Sequence, residues 1–306
     1  MLRRLLQWAA RDQRIRHLVA RAPVSRSVVA RFVAGESLDD AVRVTAELIG
    51  RGLDVSLDHL GEDTRDRGQA RAATQAYVAL LGRLDRDGLT GGAEVSVKLS
   101  AVGQALDPAM ALENARTICA AAGAVGTTVT LDMEDHTTTD STLRTLAELR
   151  RDFPATGAVI QAYLRRSEGD CRALSGSGSR VRLCKGAYDE PVAVAFQKRR
   201  EVDRSFARCL SILMSGSGYP MVATHDPRLV RLAERLAGPA GRGPRDFEFQ
   251  MLYGIRPVEQ RRLAGLGHRV RVYVPYGDEW YGYLMRRLAE RPANVAFFLR
   301  SLASRS

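Results

Sequence analysis

EVSVKLSAVGQALDPAMALENARTICAAAGAVGTTVTLDM, residues 94–133, decides the fold. Its two ends, Glu94–Leu99 and Thr128–Met133, are short runs rich in β-branched residues. Between them, Asp107-Pro108 opens a helical stretch to Ala122: a capping carboxylate, then proline in the first turn, where its missing N–H costs nothing. Strand, helix, strand in about forty residues is a βαβ unit, which builds parallel sheet. The same alternation continues on both sides. Strands are predicted at Leu53–Leu57, Ala158–Leu164, Arg180–Lys185, Met221–Thr224, Phe247–Leu252 and Arg269–Val274. Helices are predicted at Thr64–Leu84, Ser141–Arg151, Ser167–Leu174, Pro191–Met214, Pro227–Leu236 and Pro257–Leu263, with Asp226-Pro227 repeating the cap-then-proline start. Eight strands in this rhythm predict a (β/α)8 barrel over residues 51–306. The rival, an open doubly wound sheet, normally carries a Gly-rich phosphate turn after its first strand. Here that turn reads Asp58-His59-Leu60-Gly61-Glu62, and the chain holds no GxGxxG and no Walker A motif.

Residues 1–50 read as a helical segment before the barrel, with Ser37 capping Ala41–Ile49. The opening MLRRLLQWAARDQRIRHLV lacks an uninterrupted apolar core, so no secretory signal is expected. Its Arg-rich amphipathic character overlaps with that of a transit peptide, but the helical pattern runs on without a cleavage-like break. No apolar stretch reaches the roughly 18–20 residues of a membrane span.

The 306 residues carry 46 Lys+Arg against 35 Asp+Glu, a formal charge of +11, with 45% hydrophobic and 26% charged residues. Those are globular values and exclude a disordered chain. All but three of the cations are arginine; such a charge could serve nucleic acid or an anionic membrane surface, but a solvated face from an Arg-favouring codon bias is the simpler reading. No RNP motif, zinc finger or aromatic-interleaved basic stretch is present. Cys119, Cys171, Cys184 and Cys209 form no CxxC pair and sit at no zinc-like spacing, pointing to a reduced compartment.

A barrel places its active site at the carboxyl ends of the strands. Those ends carry Glu62, Lys98, Asp132-Met133-Glu134-Asp135-His136, Gln161 and Tyr163, Arg182 with Lys185 and Tyr188, Thr224-His225-Asp226, Gln250 and Tyr253, and Tyr273 and Tyr276. Buried charges cost several kcal/mol unless paired or used, so a scaffold alone does not call for this set. The cluster Asp132, Glu134, Asp135, His136 with His225 raises a metal site, but Lys98, Arg182 and Lys185 oppose a divalent ion in the same cavity, and no metal is expected. The final helix, within Asp278–Ser301, sets Tyr283, Arg286 or Arg287, and Glu290 on one face. An outer-ring helix would make that stripe apolar, so this one is expected to lie over the barrel mouth, its arginines suited to gripping a carboxylate.

These segments together resemble the proline dehydrogenase family in its short monofunctional bacterial form: SLDHLGE (56–62), SVKLSAVG (96–103), LDMEDHT (131–137), IQAYLRR (160–166), RLCKGAYDEP (182–191), ATHDP (223–227), FEFQMLYGIR (247–256) and VYVPYGDEWYGYLMRRLAERPANV (272–295). The resemblance implies a distorted (β/α)8 barrel, oxidation of L-proline to Δ1-pyrroline-5-carboxylate on a noncovalent flavin, FAD with FMN as the alternative, and electrons passed to a membrane quinone. It implies flavin contacts at Met133, Gln161, Arg182, Lys185, Gly186, Ala187, Thr224, His225 and Glu290. Around the substrate it implies Lys98, Arg286 and Arg287 at the carboxylate and Asp132, Tyr188, Leu252, Tyr273 and Tyr283 at the ring. Asp132 and Arg182 are the residues most tied to turnover, with Asp132 expected to orient Arg182 or Lys98, and Glu62 is expected to pair with Arg286 as a gate. Tyr273, being bulky, favours proline over hydroxyproline. The implied setting is the cytoplasm, with peripheral contact at the inner face of the membrane, no nucleic acid, and a separate pyrroline-5-carboxylate dehydrogenase downstream. A lysine Schiff-base barrel enzyme built on Lys98 or Lys185 and a basic nucleic-acid-binding protein are the rival readings.

Overall fold

In a computed structural model, residues 29–62 and 64–290 are described, the side chains of 286–290 excepted. Eight strands form one parallel sheet: β1 (Asp54–His59), β2 (Ala93–Val97), β3 (Val129–Leu131), β4 (Ala158–Gln161), β5 (Arg180–Cys184), β6 (Tyr219–Ala223), β7 (Glu248–Leu252) and β8 (Arg269–Tyr276). Their order is β3-β2-β1-β8-β7-β6-β5-β4. The two ends meet through a bridge between Thr130 and Gly157, so the sheet closes into the barrel the sequence predicts. That seam is short, with Leu131 N–H to Gly157 O at 2.9 Å and Gly157 N–H to Val129 O at 2.8 Å.

Helices alternate with the strands: α1 (Leu38–Ile49), α2 (Arg67–Arg86), α3 (Pro108–Ala124), α4 (Thr139–Leu149), α5 (Ser167–Ala173), α6 (Arg199–Ser215), α7 (Pro227–Ala237), α8 (Pro257–Gly265) and α9 (Trp280–Glu290). The predicted caps are in place. Ser37 and Asp40 form a capping box, Asp107 accepts from Ala109 and Met110 N–H, and Asp226 accepts from Arg228 N–H. α1 precedes the first strand yet packs against β1 and β8. It therefore takes the ring position that a helix after β8 fills in a regular barrel, and α2–α8 complete the ring.

α9 is thereby released. Its Trp280, Tyr281, Tyr283, Leu284 and Met285 bury against Leu60 and Ile255, which lie beyond the carboxyl ends of β1 and β7, and against Phe32 and Val33. The last helix thus lies over the mouth, as expected.

Some boundaries differ from expectation. The helix predicted from Pro191 begins at Arg199. Residues 194–196 instead pair with 163–165, through Arg165 N–H to Val194 O (2.9 Å) and Phe196 N–H to Tyr163 O (2.8 Å), and this tertiary pairing outweighs local helical preference. β6 and β8 both run through a proline, Pro220 and Pro275, where the sequence suggested an end. β3 and β4 are shorter than predicted, because the chain leaves the sheet at Asp132 and Ala162 to form the mouth loops.

At the closing seam, a Cβ on Gly157 would stand 2.6 Å from Thr130 Oγ1. Gly157→Val is expected to destabilise the fold by about 2 kcal/mol and lower the melting midpoint by about 5 °C. A melt unchanged from the wild type would show that the seam tolerates a side chain.

Candidate active site

In a closed parallel barrel, every second residue of each strand points into a space that water does not fill. Here many of those positions are charged. Glu248 pairs with Arg271 (2.9 Å), which lies 3.8 Å from Glu94. Glu94 pairs with Arg180 (2.6 Å) and Arg182 (3.5 Å). Arg182 pairs with Asp132 (2.6 Å), Asp132 lies 3.9 Å from Lys98, and Lys98 pairs with Asp58 (2.6 Å). Opposite charges thus alternate from the floor of the barrel to its mouth. Burial would raise the Glu94 carboxyl, but Arg271, Arg180 and Arg182 together hold it down to about 2.

Arg182 is the hub of this ladder. Besides Asp132 it donates to Ser96 Oγ (2.8 Å), Ser56 Oγ (3.0 Å) and Gln250 Oε1, and its guanidinium lies 5.3 Å from the centre of the Tyr273 ring. The side chain is 5% exposed. Asp132 receives Arg182 on one oxygen and the Tyr273 hydroxyl on the other (2.6 Å). Of the two partners expected for Asp132, Arg182 is directly hydrogen-bonded and Lys98 stands 3.9 Å away.

Lys98 donates to both oxygens of Asp58 at 2.6 Å. Burial would lower its pKa, but Asp58, Glu62 and Asp132 outweigh burial and raise it above the ordinary lysine value, so the group is an ammonium. Its distance to the Tyr273 hydroxyl is 3.5 Å and to Glu62 3.9 Å. Asp58 is the site residue that sequence reading missed. The alternation Asp54, Ser56, Asp58 along β1 was the available signal, since it puts Asp58 on the inner face beside Lys98.

Strands β4–β6 carry a different chemistry. Gln161 donates to Glu134 O (2.6 Å). Lys185 pairs with Asp203 (2.6 Å) and Asp226 (3.2 Å), and Arg228 joins both carboxylates. His225 Nε2 accepts the Leu252 N–H at 2.9 Å, so the proton of the neutral ring sits on Nδ1 and makes that atom a donor. Gly186 has φ +104°, and a Cβ there would fall 2.4 Å from the Tyr163 ring, so only glycine lets the chain pass. Met133 and Thr224 are buried, while Ala187 and Tyr188 are half-buried. Tyr283 is buried with Leu252 packed at the edge of its cluster. The structure thus gathers Lys98, Asp132, Arg182 and Tyr273 directly. The side chains of Arg286, Arg287 and Glu290 lie outside the described residues, and with them the expected Glu62–Arg286 pair.

Glu134, on the loop after β3, accepts Ser100 N–H (3.1 Å) and faces Ser100 Oγ (2.5 Å). It joins the loop after Lys98 to the backbone that orients Gln161. Burial pushes its carboxyl up to about 7, with Glu62 adding to the effect and the Ser100 hydrogen bonds opposing it.

Three comparisons bear on this geometry. The sequence profile of a family described as "Proline dehydrogenase" matches residues 41–300. Proline dehydrogenase 1 of Bacillus subtilis (strain 168) is 38% identical over 283 residues, covering 92% of this chain and 93% of the relative. Proline dehydrogenase of Deinococcus radiodurans is 40% identical over 277 residues, covering 89% of each. Among solved structures, proline utilization A (PutA) from Bdellovibrio bacteriovorus, inactivated by N-propargylglycine, superposes with a TM-score of 0.81 at 26% identity. The superposition covers 92% of this chain and 34% of that longer protein.

The raised Glu134 carboxyl makes a pH prediction. Between about 4.5 and 7 the folded state holds the proton and the unfolded state releases it, so stability falls as pH rises through this window and levels off above it. The drop is up to about 3 kcal/mol. Glu134→Gln, which copies the protonated form, is expected to flatten that segment of a urea-denaturation series. A variant with the wild-type slope would remove Glu134 as its cause.

Proposed function

The chain belongs to the proline dehydrogenase family, and from that premise we propose that it oxidises L-proline to Δ1-pyrroline-5-carboxylate on a bound FAD and passes the electrons to a membrane quinone. The observation that carries this reading is the cluster Lys98–Asp132–Arg182–Tyr273 at the carboxyl ends of β2, β3, β5 and β8, covered by α9. A fixed ammonium for a carboxylate stands beside a fixed guanidinium and a bulky ring, which is what a small cyclic amino acid needs to be held in one orientation.

The donor set on the other half of the mouth fits a flavin. The Gln161 amide, the Thr224 hydroxyl, His225 Nδ1–H and the Lys185 ammonium are partners for a polar ring edge and a phosphate-bearing tail, with Met133 as an apolar contact. Lys185, Arg199 and Arg228 against Asp203 and Asp226 leave a net positive rim for that tail. When bound, the flavin supplies the two-electron acceptor for the hydride that leaves C5 of proline.

The residues of the chain then have separate tasks. Lys98, with Arg286 and Arg287 from α9, takes the substrate carboxylate. Asp58 holds the Lys98 ammonium in place and keeps it charged. Tyr273 packs against the pyrrolidine ring and hands its hydroxyl proton to Asp132 as a hydrogen bond. Asp132 aims Arg182, whose guanidinium cannot rotate away because Ser56, Ser96 and Gln250 hold its other edges. The surrounding cations favour the neutral amine, whose lone pair assists loss of hydride from C5. The resulting iminium sheds its N–H proton to give the cyclic imine. Fixed charges of this kind act without reorganisation during the reaction.

A Schiff base on Lys98 requires a neutral amine, and Lys98 is held as the ammonium of a two-oxygen pair. Borohydride with proline or its product should therefore leave no covalent adduct on Lys98.

The purified protein is expected to be yellow and to bleach anaerobically with L-proline. Asp132→Ala should keep the colour and lose at least about 100-fold in turnover with a soluble dye. A colourless wild type, or full turnover in the variant, would overturn the reading.

A further inference from the structure

The turn joining β7 to α8, residues 252–256, holds a backbone outlier. Arg256 has φ 52° and ψ 50°, in the left-handed region, and it is the one non-glycine residue with positive φ among the described residues. Side chains avoid that region because Cβ crowds the following carbonyl. Pro257 comes next, and a proline drives the residue before it toward extended backbone. Nor does the conformation serve the helix. Arg256 occupies the N-cap of α8, where an extended Ser, Thr, Asp or Asn is usual, and its side chain makes no cap hydrogen bond. An outlier of this kind persists only where the surroundings impose it.

The surroundings do impose it. Gly254 has φ +71°, and a Cβ on it would collide with Arg31 O, so the segment before α1 presses directly on the turn. Ile255 is buried in the apolar cluster under α9. Tyr273 O accepts Tyr253 N–H (2.9 Å), and Gln260 donates to Leu252 O (3.3 Å) and Ile255 O (2.9 Å). From this fixed turn two groups reach the end of β6. Leu252 N–H donates to His225 Nε2 (2.9 Å), and Arg256 Nη1 donates to His225 O (2.8 Å). One turn therefore grips His225 at ring and backbone together. With Nε2 occupied as an acceptor, Nδ1–H is the donor left to the neutral ring, and its direction is set.

We propose that Arg256 is a positioning residue for the flavin site: its left-handed backbone brings the guanidinium to the His225 carbonyl, so that the imidazole presents Nδ1–H to the cofactor in one orientation. The inference rests on the reading that a flavin binds beside Thr224 and His225. Arg256 is half-buried, and a hydrogen bond from a charged donor is stronger than a neutral one. On the same reading Leu252, a contact of the substrate ring, hangs from the same turn. A donor to the cofactor and a wall of the substrate pocket thus have a common support.

The test compares Arg256→Gly, Arg256→Asn and Arg256→Lys as holoenzymes. Glycine and asparagine accept a left-handed backbone and remove the guanidinium, whereas lysine keeps a cationic donor. If Arg256 served the fold alone, glycine would relieve strain and leave the flavin untouched. A positioning role gives the opposite sign. Release of FAD, followed by the rise in flavin fluorescence after dilution, is expected to be about tenfold faster in the Gly and Asn variants. The visible circular dichroism of their bound flavin is expected to change, lysine should restore part of both, and the far-UV spectrum should match the wild type throughout. Release at the wild-type rate with an unchanged flavin spectrum in the Gly and Asn variants would overturn the proposal. Loss of the far-UV signal in both would overturn it too, since Arg256 would then be a residue of the fold. A wild type that purifies without flavin would remove the reading beneath the inference, whereas a wild type that holds FAD no better than the variants would remove the inference alone.

Discussion

The mouth of the barrel depends on a ladder of alternating buried charges with Arg182 at its centre. A parallel sheet closed on itself has inward positions that solvent cannot reach, and an unpaired ion there costs several kcal/mol. The chain places Glu248, Arg271, Glu94, Arg180, Arg182, Asp132, Lys98 and Asp58 in those positions and pairs each with at least one opposite charge. Replacing the ladder with well-packed hydrocarbon would serve stability as well or better. What the ladder provides instead is position. Arg182 is bound on all its edges, so the charge it presents to the mouth has one place to be.

This constraint explains the division of the mouth into two halves. On β1–β3, Asp58, Lys98 and Asp132 sit at the top of the ladder and share Tyr273 from β8. On β4–β6, the ends offer an amide, a hydroxyl, an imidazole N–H and an ammonium, with their nearby carboxylates matched by Lys185, Arg199 and Arg228. Arg182 rises from β5 but reaches across to Asp132 just beyond β3 and Ser56 on β1, joining the two halves of the mouth.

Much of this was legible in the sequence because the repeating pattern is local. Eight strand-and-helix alternations, Asp-Pro helix starts and polar strand ends are visible residue by residue, and the polar stripe of the last helix pointed to its place over the mouth. What escaped was set by contacts between distant segments. Asp58 looked like part of a turn, because its partner Lys98 is forty residues away. Pro191 looked like the first residue of a helix, because the pairing of 194–196 with 163–165 cannot be seen in either stretch alone. Pro220 and Pro275 looked like strand ends. Pro275 lacks an N–H to place in the ladder, yet its carbonyl accepts Ala34 N–H at 2.9 Å, which ties the strand to the segment before α1.

That last contact shows how the chain arranges its own cover. Because α1 fills the ring between β8 and β1, the segment before it must pass along the mouth, where Ala34 meets Pro275 and Gly35 O accepts Gly277 N–H at 3.0 Å. Phe32 and Val33 then join Leu60 and Ile255 as the floor on which α9 rests. The helix over the mouth is thus seated on side chains from the beginning of the barrel, from its first loop and from its seventh. The position of α9 is therefore referenced to the same loops that follow Asp58 on β1 and Leu252 on β7. Displacing that helix would require breaking an apolar cluster to which Trp280, Tyr281, Tyr283, Leu284 and Met285 all contribute, so its first turns are fixed to the mouth.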